Sequence, residues 1–159
     1  LLRDYERPHH QSAASEIVRF HASTDPAYTP PGPGVCIDKD RAPESINGIA
    51  KEAPKPDCIS PEGCLFCTKH RDIMSPDYCW KLASHAKIKS LEANLYKPPE
   101  KQDIHPAYRV IERINKKLEA IASGSEIRAM WVSESRDLIR AGKYHPYWSG
   151  HIELMEVIA

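Results

Sequence analysis

The apolar positions of this chain have two textures. Beyond residue 75 they recur every three or four places, as one face of a helix requires. Trp80, Ala83, Ile88, Leu91 and Leu95 form one such series, and Tyr108, Ile111, Ile114, Leu118 and Ile121 a second. A third, Ile127, Met130, Trp131 and Leu138, reads as the inner stripe of its helix. Punctuation agrees with periodicity. Ser75-Pro76-Asp77 supplies an N-cap, a proline at the first helical position and an acid in the first turn. Pro98-Pro99 stops that helix. The pattern predicts further helices over residues 106–122 and 126–141. Ser123-Gly124-Ser125 separates them, and Gly142 closes the third. Tyr144-His145-Pro146-Tyr147-Trp148 reads as an aromatic corner, and residues 151–158 begin a last helix.

Ahead of residue 75 the periodicity fails. Residues 1–22 are weakly helical, with two turns expected over 13–21 carrying Ile17, Val18 and Phe20. Residues 23–35 hold Pro26, Pro30, Pro31 and Pro33 with Gly32 and Gly34, which excludes helix and leaves a linker or an extended strap. Residues 36–74 are thin in apolar side chains, and ordering them needs another source of stability. No strand pattern or internal repeat is visible. The expected fold is mainly α: an irregular zinc-knuckle segment docked on a small bundle of three to four helices. Three regions follow. Residues 1–35 are a proline-rich lead-in or the end of a truncated upstream domain, 36–74 a zinc-binding segment, and 75–159 a helical region.

At 159 residues the chain is one ordinary domain in size. Lys+Arg and Asp+Glu are both 22, which excludes a generically basic nucleic-acid coat and an acidic tail protein but leaves room for a local basic face. No apolar run is long enough for a membrane span. Leu1-Leu2-Arg3-Asp4 has no secretory pattern, so no membrane association and a cytoplasmic location are expected. With no initiator Met, and an apolar end at Glu156-Val157-Ile158-Ala159, the chain reads as a piece of something longer.

Four of the five cysteines lie in the irregular segment. Cys64-Leu65-Phe66-Cys67 lets two thiolates face one ion, and structural zinc takes four such ligands in a tetrahedron. The expected set is Cys36, Cys58, Cys64 and Cys67, with His70 the alternative to Cys36. An all-thiolate set argues for a structural rather than a catalytic zinc. Cys79, inside a helix beside Trp80, reads as buried packing. An iron–sulfur or redox role is a further reading of the same cluster. A secreted disulfide framework fits poorly with an odd cysteine count.

Other chemistry is sparse. His9, His10, His21, His85, His105, His145 and His151 are scattered without a paired acid or nucleophile, and there is no phosphate loop or nucleophile elbow. Residues 80–120 carry nine bases against five acids. Of these, Lys81, Lys87 and Lys89 lie on or near the polar face of the first helix. They are either a solvated face or contacts to DNA phosphate.

The run Gly34-Val35-Cys36, then Asp57-Cys58, then Gly63-Cys64-Leu65-Phe66-Cys67-Thr68-Lys69-His70-Arg71 resembles the cysteine-rich tail that follows the catalytic domain in some phage-integrase-like tyrosine recombinases and transposases of mobile elements. The match covers roughly residues 34–95. The resemblance implies the C-terminal, DNA-facing part of a site-specific recombinase, with DNA and other recombinase protomers as partners. That family's nucleophile is a tyrosine following a histidine by about ten residues. Here His10 is followed by Arg19 and Phe20, and Tyr28 lies within the proline strap, so no catalytic residue carries over. Only Cys36, Cys58, Cys64 and Cys67 map onto the pattern. The alternative is a stand-alone zinc-stabilised protein-interaction module.

Overall fold

The structure is a computed structural model that describes residues 17–95 and 104–158. It is mainly helical. At its centre lies α1 (Pro76–Leu95), against which α2 (Pro106–Ala122), α3 (Glu126–Arg140) and α4 (Ser149–Ile158) all pack. None of these helices is long and apolar enough to cross a membrane.

The starts of the helices follow the sequence signals closely. Ser75 Oγ accepts from the Tyr78 amide at 3.1 Å, with Pro76 in the first turn. Ser125 Oγ accepts from the Arg128 amide at 3.2 Å. Gly142, at φ +77°, ends α3 in the left-handed region glycine tolerates. Two His-Pro pairs use one device. Nδ1 of His105 accepts from Ala107 N at 3.0 Å to open α2, and Nδ1 of His145 accepts from Tyr147 N at 3.1 Å to open a 3-10 turn, Pro146–Trp148, ahead of α4. Pro98-Pro99 and residues 13–16 lie outside the described residues.

The buried faces differ from expectation in two helices. In α3, Ile127 and Met130 are 59% and 55% exposed, while Val132 and Ser135 are buried. The inward series is Arg128, Trp131, Val132, Ser135 and Ile139, because α3 turns Arg128 over the Phe20 ring at 4.9 Å. Ser135 is tolerated there because its hydroxyl donates to the Trp131 carbonyl at 2.8 Å. In α2, Tyr108 is half exposed, and Ala107, Val110, Ile114, Lys117, Leu118 and Ile121 face inward. α1 is enclosed on several sides, burying Ser84, His85 and Lys89 beside Tyr78, Leu82, Ala83 and Ile88, although Leu95 is exposed.

The front half folds by long-range pairing. Beyond Ile17 the chain is extended rather than helical. The Arg19 carbonyl accepts from Asp72 N at 2.6 Å and His21 N donates to the Asp72 carbonyl at 2.8 Å, so these backbone groups have partners fifty residues away. Two short strands, β1 (Val35–Cys36) and β2 (His70–Arg71), pair antiparallel with Val35 opposite Arg71 and Cys36 opposite His70. Between them a 3-10 helix, Pro61–Phe66, sinks Leu65 and Phe66 into the same core as Leu82, Ile114 and Leu118.

A buried ion pair joins the halves. Asp72, fully buried, accepts from Lys117 Nζ at 3.0 Å, from the Arg19 amide at 2.9 Å and from the Tyr78 hydroxyl. Lys117 also donates to the Ile17 carbonyl at 2.6 Å. Burial opposes the charge on Asp72, but Lys117, His70, the Tyr78 hydroxyl and the Arg19 amide outweigh it and hold the carboxylate below its usual range. Lys117→Met strands that carboxylate. It is expected to destabilise the protein by about 3–5 kcal/mol in urea denaturation.

His85 is buried in α1 with neither ring nitrogen hydrogen-bonded among the described residues, stacked 4.3 Å from the Trp148 ring. Burial, with Lys89 on its own helix and His151 on α4, pushes its pKa down to about 3 from 6.5. The folded state therefore refuses a proton that the unfolded chain accepts. Its contribution is present above pH 6.5 and is lost as pH falls from 6.5 towards 3. His85→Phe keeps the stack and removes two unmet polar atoms. It is expected to gain about 1–3 kcal/mol and to flatten this part of the melting temperature–pH profile.

Candidate metal centre

The proline strap is held against the cysteine segment by backbone approaches that only glycine permits. A Cβ at Gly32 would collide with the Pro61 carbonyl, and one at Gly34, where φ is +99°, would lie 2.5 Å from His70 Nε2. His70 Nε2 donates to the Pro33 carbonyl at 2.7 Å. Tyr28 and Cys36 exchange backbone hydrogen bonds of 2.8 and 2.9 Å, so the strap doubles back and delivers Cys36 onto β1. Cys64 lies in the 3-10 helix, and the Cys67 amide donates to its carbonyl at 3.2 Å. Cys58 sits at φ +60°, a left-handed conformation uncommon for a side chain of this kind. Asp57 Oδ1 carries the chain around it, accepting from Ile59 N at 2.9 Å and Ser60 N at 2.8 Å.

These turns bring Cys36 and Cys58 to the neighbouring pair Cys64 and Cys67. Cys36, Cys58, Cys64 and Cys67 all line a single cavity of about 30 Å³, walled by Pro30, Pro31 and Pro56 and edged by Arg41 and His70. That is room for a single ion. No disulfide forms among them. As the side chains are turned here, no three Cys, His, Asp or Glu among the described residues form an ion-holding group. Cys36 Sγ contacts the Asp38 carbonyl at 3.7 Å, and Cys58 Sγ the Arg41 carbonyl at 3.5 Å, both as S–H donors. A thiolate has no such proton to donate. The Asp38 amide already points at Cys36 Sγ, at 3.4 Å, the kind of donor that supports a ligating sulfur.

Two of the four thiols are held protonated. Burial pushes the Cys64 thiol up to about 11; the Gly32 amide opposes this, and the three neighbouring thiols add to it. Partial burial, then Cys67 and Cys36, raise Cys58 too. A divalent cation would reverse that shift for Cys58 and Cys64 by taking them as thiolates.

His70 borders the same cavity, but its Nε2 is committed to Pro33, so it serves to position the strap. Complete burial brings its pKa down to about 4, leaving a neutral ring. Cys79 lies apart, in the core beside Leu82, as a packing residue.

The three lysines do not form one exposed face. Lys81 places Nζ 4.9 Å from the Tyr147 ring centre, Lys87 is half-buried, and Lys89 is only 7% exposed, paired to Glu62 at 3.5 Å and Glu92 at 3.0 Å. Lys89 is thus neutralised at the seam between α1 and the 3-10 helix, because α1 is a central helix rather than a surface one. Basic side chains converge instead at Arg19, Arg109, Arg113 and Lys116. The last three share one face of α2 at spacings of four and three, a signal present in the sequence; Arg19 has none. No family model matches the chain, and neither a curated protein nor a solved structure does.

Elemental analysis is expected to find one zinc per chain. Chelation should lower the melting temperature by more than about 10 °C. Cys64→Ser should lose the metal, whereas Cys79→Ala should keep it.

Proposed function

We infer that this chain is a zinc-stabilised, DNA-facing module of a phage-integrase-like tyrosine recombinase, its C-terminal part, with the strand-breaking residues outside it. One observation carries the reading. The four cysteines that match the recombinase-tail pattern are the four that line one ion-sized cavity, and Cys79, outside the pattern, stays in the core.

The zinc's contribution is mechanical. Bound by these thiolates, zinc would cross-link the strap at Cys36, the loop at Cys58, the 3-10 helix at Cys64 and its cap residue Cys67. That replaces the core this segment lacks and presents a rigid surface. Lys81 and Lys87 supply sequence-blind phosphate contacts; Lys89, held by Glu62 and Glu92, holds the 3-10 helix to α1. A second reading, a stand-alone protein-interaction module, draws on exposed apolar side chains: Ile127 and Met130 on α3, and Leu154, Val157 and Ile158 on α4.

Fluorescence anisotropy with a labelled B-DNA duplex separates the two. Under the recombinase reading, log affinity falls linearly with log salt. Lys81→Gln with Lys87→Gln then reduces the slope by about 1.8, two phosphate contacts' worth. Lys89→Gln lowers stability and leaves the slope unchanged. A zinc-loaded chain without duplex affinity at low salt overturns the DNA-facing role and favours the interaction module.

A further inference from the structure

The C-terminal segment, residues 144–158, packs as a unit apart. Of the other described helices and strands, α1 alone packs against its 3-10 turn and α4. Ile88, Trp148 and Ile152, with Tyr144 beside them, form a small core separate from the one that holds Leu82, Ile114 and Leu118. Elements held by few buried apolar contacts open before the rest of a fold. The remainder of the seam is polar. Trp148 Nε1 donates to the Lys81 carbonyl at 2.9 Å, Trp80 Nε1 to the Lys143 carbonyl at 3.0 Å, and the His145 amide to Ser84 Oγ at 2.8 Å. His145 Nε2 meets Asp77 at 2.8 Å, and the Tyr147 hydroxyl donates to the Pro31 carbonyl at 2.7 Å. Just ahead of the segment stands Gly142, in the left-handed region with open space around it, a natural pivot.

His85 lies in this seam. Its ring stacks on Trp148 at 4.3 Å and 21°, and both of its buried nitrogens lack a partner among the described residues. Protein interiors rarely leave such atoms unpaired, because each one forgoes the hydrogen bonds water gives it. Lifting the segment restores them. The charges around the ring also oppose a proton on it. Lys89, on α1, is tied to Glu92 of its own helix and to Glu62 of the front 3-10 helix. From α4, His151 stands edge-on to the Trp148 ring at 5.4 Å. From the 3-10 turn comes Tyr147, whose ring lies under Lys81 Nζ at 4.9 Å. No carboxylate accepts from either nitrogen of His85 among the described residues.

We propose that residues 144–158 are an acid-released latch: protonation of His85 lifts the segment from α1 and bares the apolar surface of Ile88, Trp148 and Ile152. The two forms differ by one proton. Docked, the ring is held neutral. Released, water reaches both nitrogens and the ring binds a proton as an ordinary histidine does. Docking is therefore complete above pH 6.5 and weakens as pH falls from 6.5 towards 3. The bared side chains add to Leu154 and Val157, which are exposed already. The latch does not depend on the zinc.

The test is hydrogen exchange of the full chain by NMR at pH 7.5 and 5.0, corrected for the intrinsic pH dependence of exchange. It is read at the Trp148 indole N–H, which bonds across the seam, and at the amides of α2. Protection at Trp148 is expected to fall about thirtyfold between the two pH values. At both, α2 should stay more than about tenfold better protected than Trp148. His85→Phe keeps the stack and should cut the fall to less than about threefold. Ser84→Ala removes the acceptor of the His145 amide. It should lower protection at Trp148 about fivefold at both pH values and keep the acid-dependent fall. Any loss of metal from the cysteines in acid is shared by wild type and variants and drops out of the comparison. Equal protection of α2 and Trp148 makes the chain one cooperative unit and overturns the proposal. So does a thirtyfold fall that persists in His85→Phe, or protection at Trp148 that acid leaves unchanged.

Discussion

The Asp72 carboxylate ties three separate stretches of the chain together. It touches α1 through Tyr78, α2 through Lys117 and the front strap through the Arg19 amide, and its own backbone pairs with Arg19 and His21. A charge this deep is tolerable only when every lone pair has a partner and a counter-ion is in contact. Those partners come from three separate stretches of chain. The ion pair therefore specifies how they meet as much as it stabilises them. With Ile17 held by Lys117 and Arg19 by Asp72, the strap begins its course beside β2 and runs on towards the cysteines.

That course explains how a segment with few apolar residues acquires order. Leu65 and Phe66 are its main anchors in the core. The rest is held by close backbone contact at Gly32 and Gly34, by the buried His70–Pro33 bond and by a two-residue ladder. These contacts are few for the length of chain they order. The four cysteines gather where they are thinnest, between the prolines of the strap and the turn at Cys58. On the proposed zinc reading, a cross-link at that point would add most, since it would close the loops from Cys36 to Cys58 and on to Cys67.

Charge follows a similar rule of enclosure. A lysine's role depends on whether its helix is central or peripheral. α1 is wrapped by the other helices, so Lys89 points into a carboxylate pair instead of solvent. α2 is covered on one side only. Its opposite margin gathers Arg109, Arg113 and Lys116 around a recess that the 44–50 loop completes. The same margin carries Glu112, which pairs with Arg109 and Lys116, and Glu52, which pairs with Arg109.

Most of the helix boundaries beyond residue 75 were legible in the sequence. Ser75-Pro76, Ser125 and Gly142 act on backbone groups within one turn, and such signals need no tertiary partner. The sequence also singled out the four cysteines by spacing, and they line one cavity. Which face each helix buries was legible only in part. Ile127 and Met130 lost the inner side of α3 to Val132 and Ser135, because the face is chosen by what lies opposite, here Phe20 under Arg128. The strands, the extended course after Ile17, the His-Pro caps and the Asp72 node were not legible. The strands are two residues long, and the node's partners lie up to 53 residues apart, so no local pattern encodes them. Packing settled those, because a buried charge or an unpaired strand residue takes whatever partner the fold brings to it.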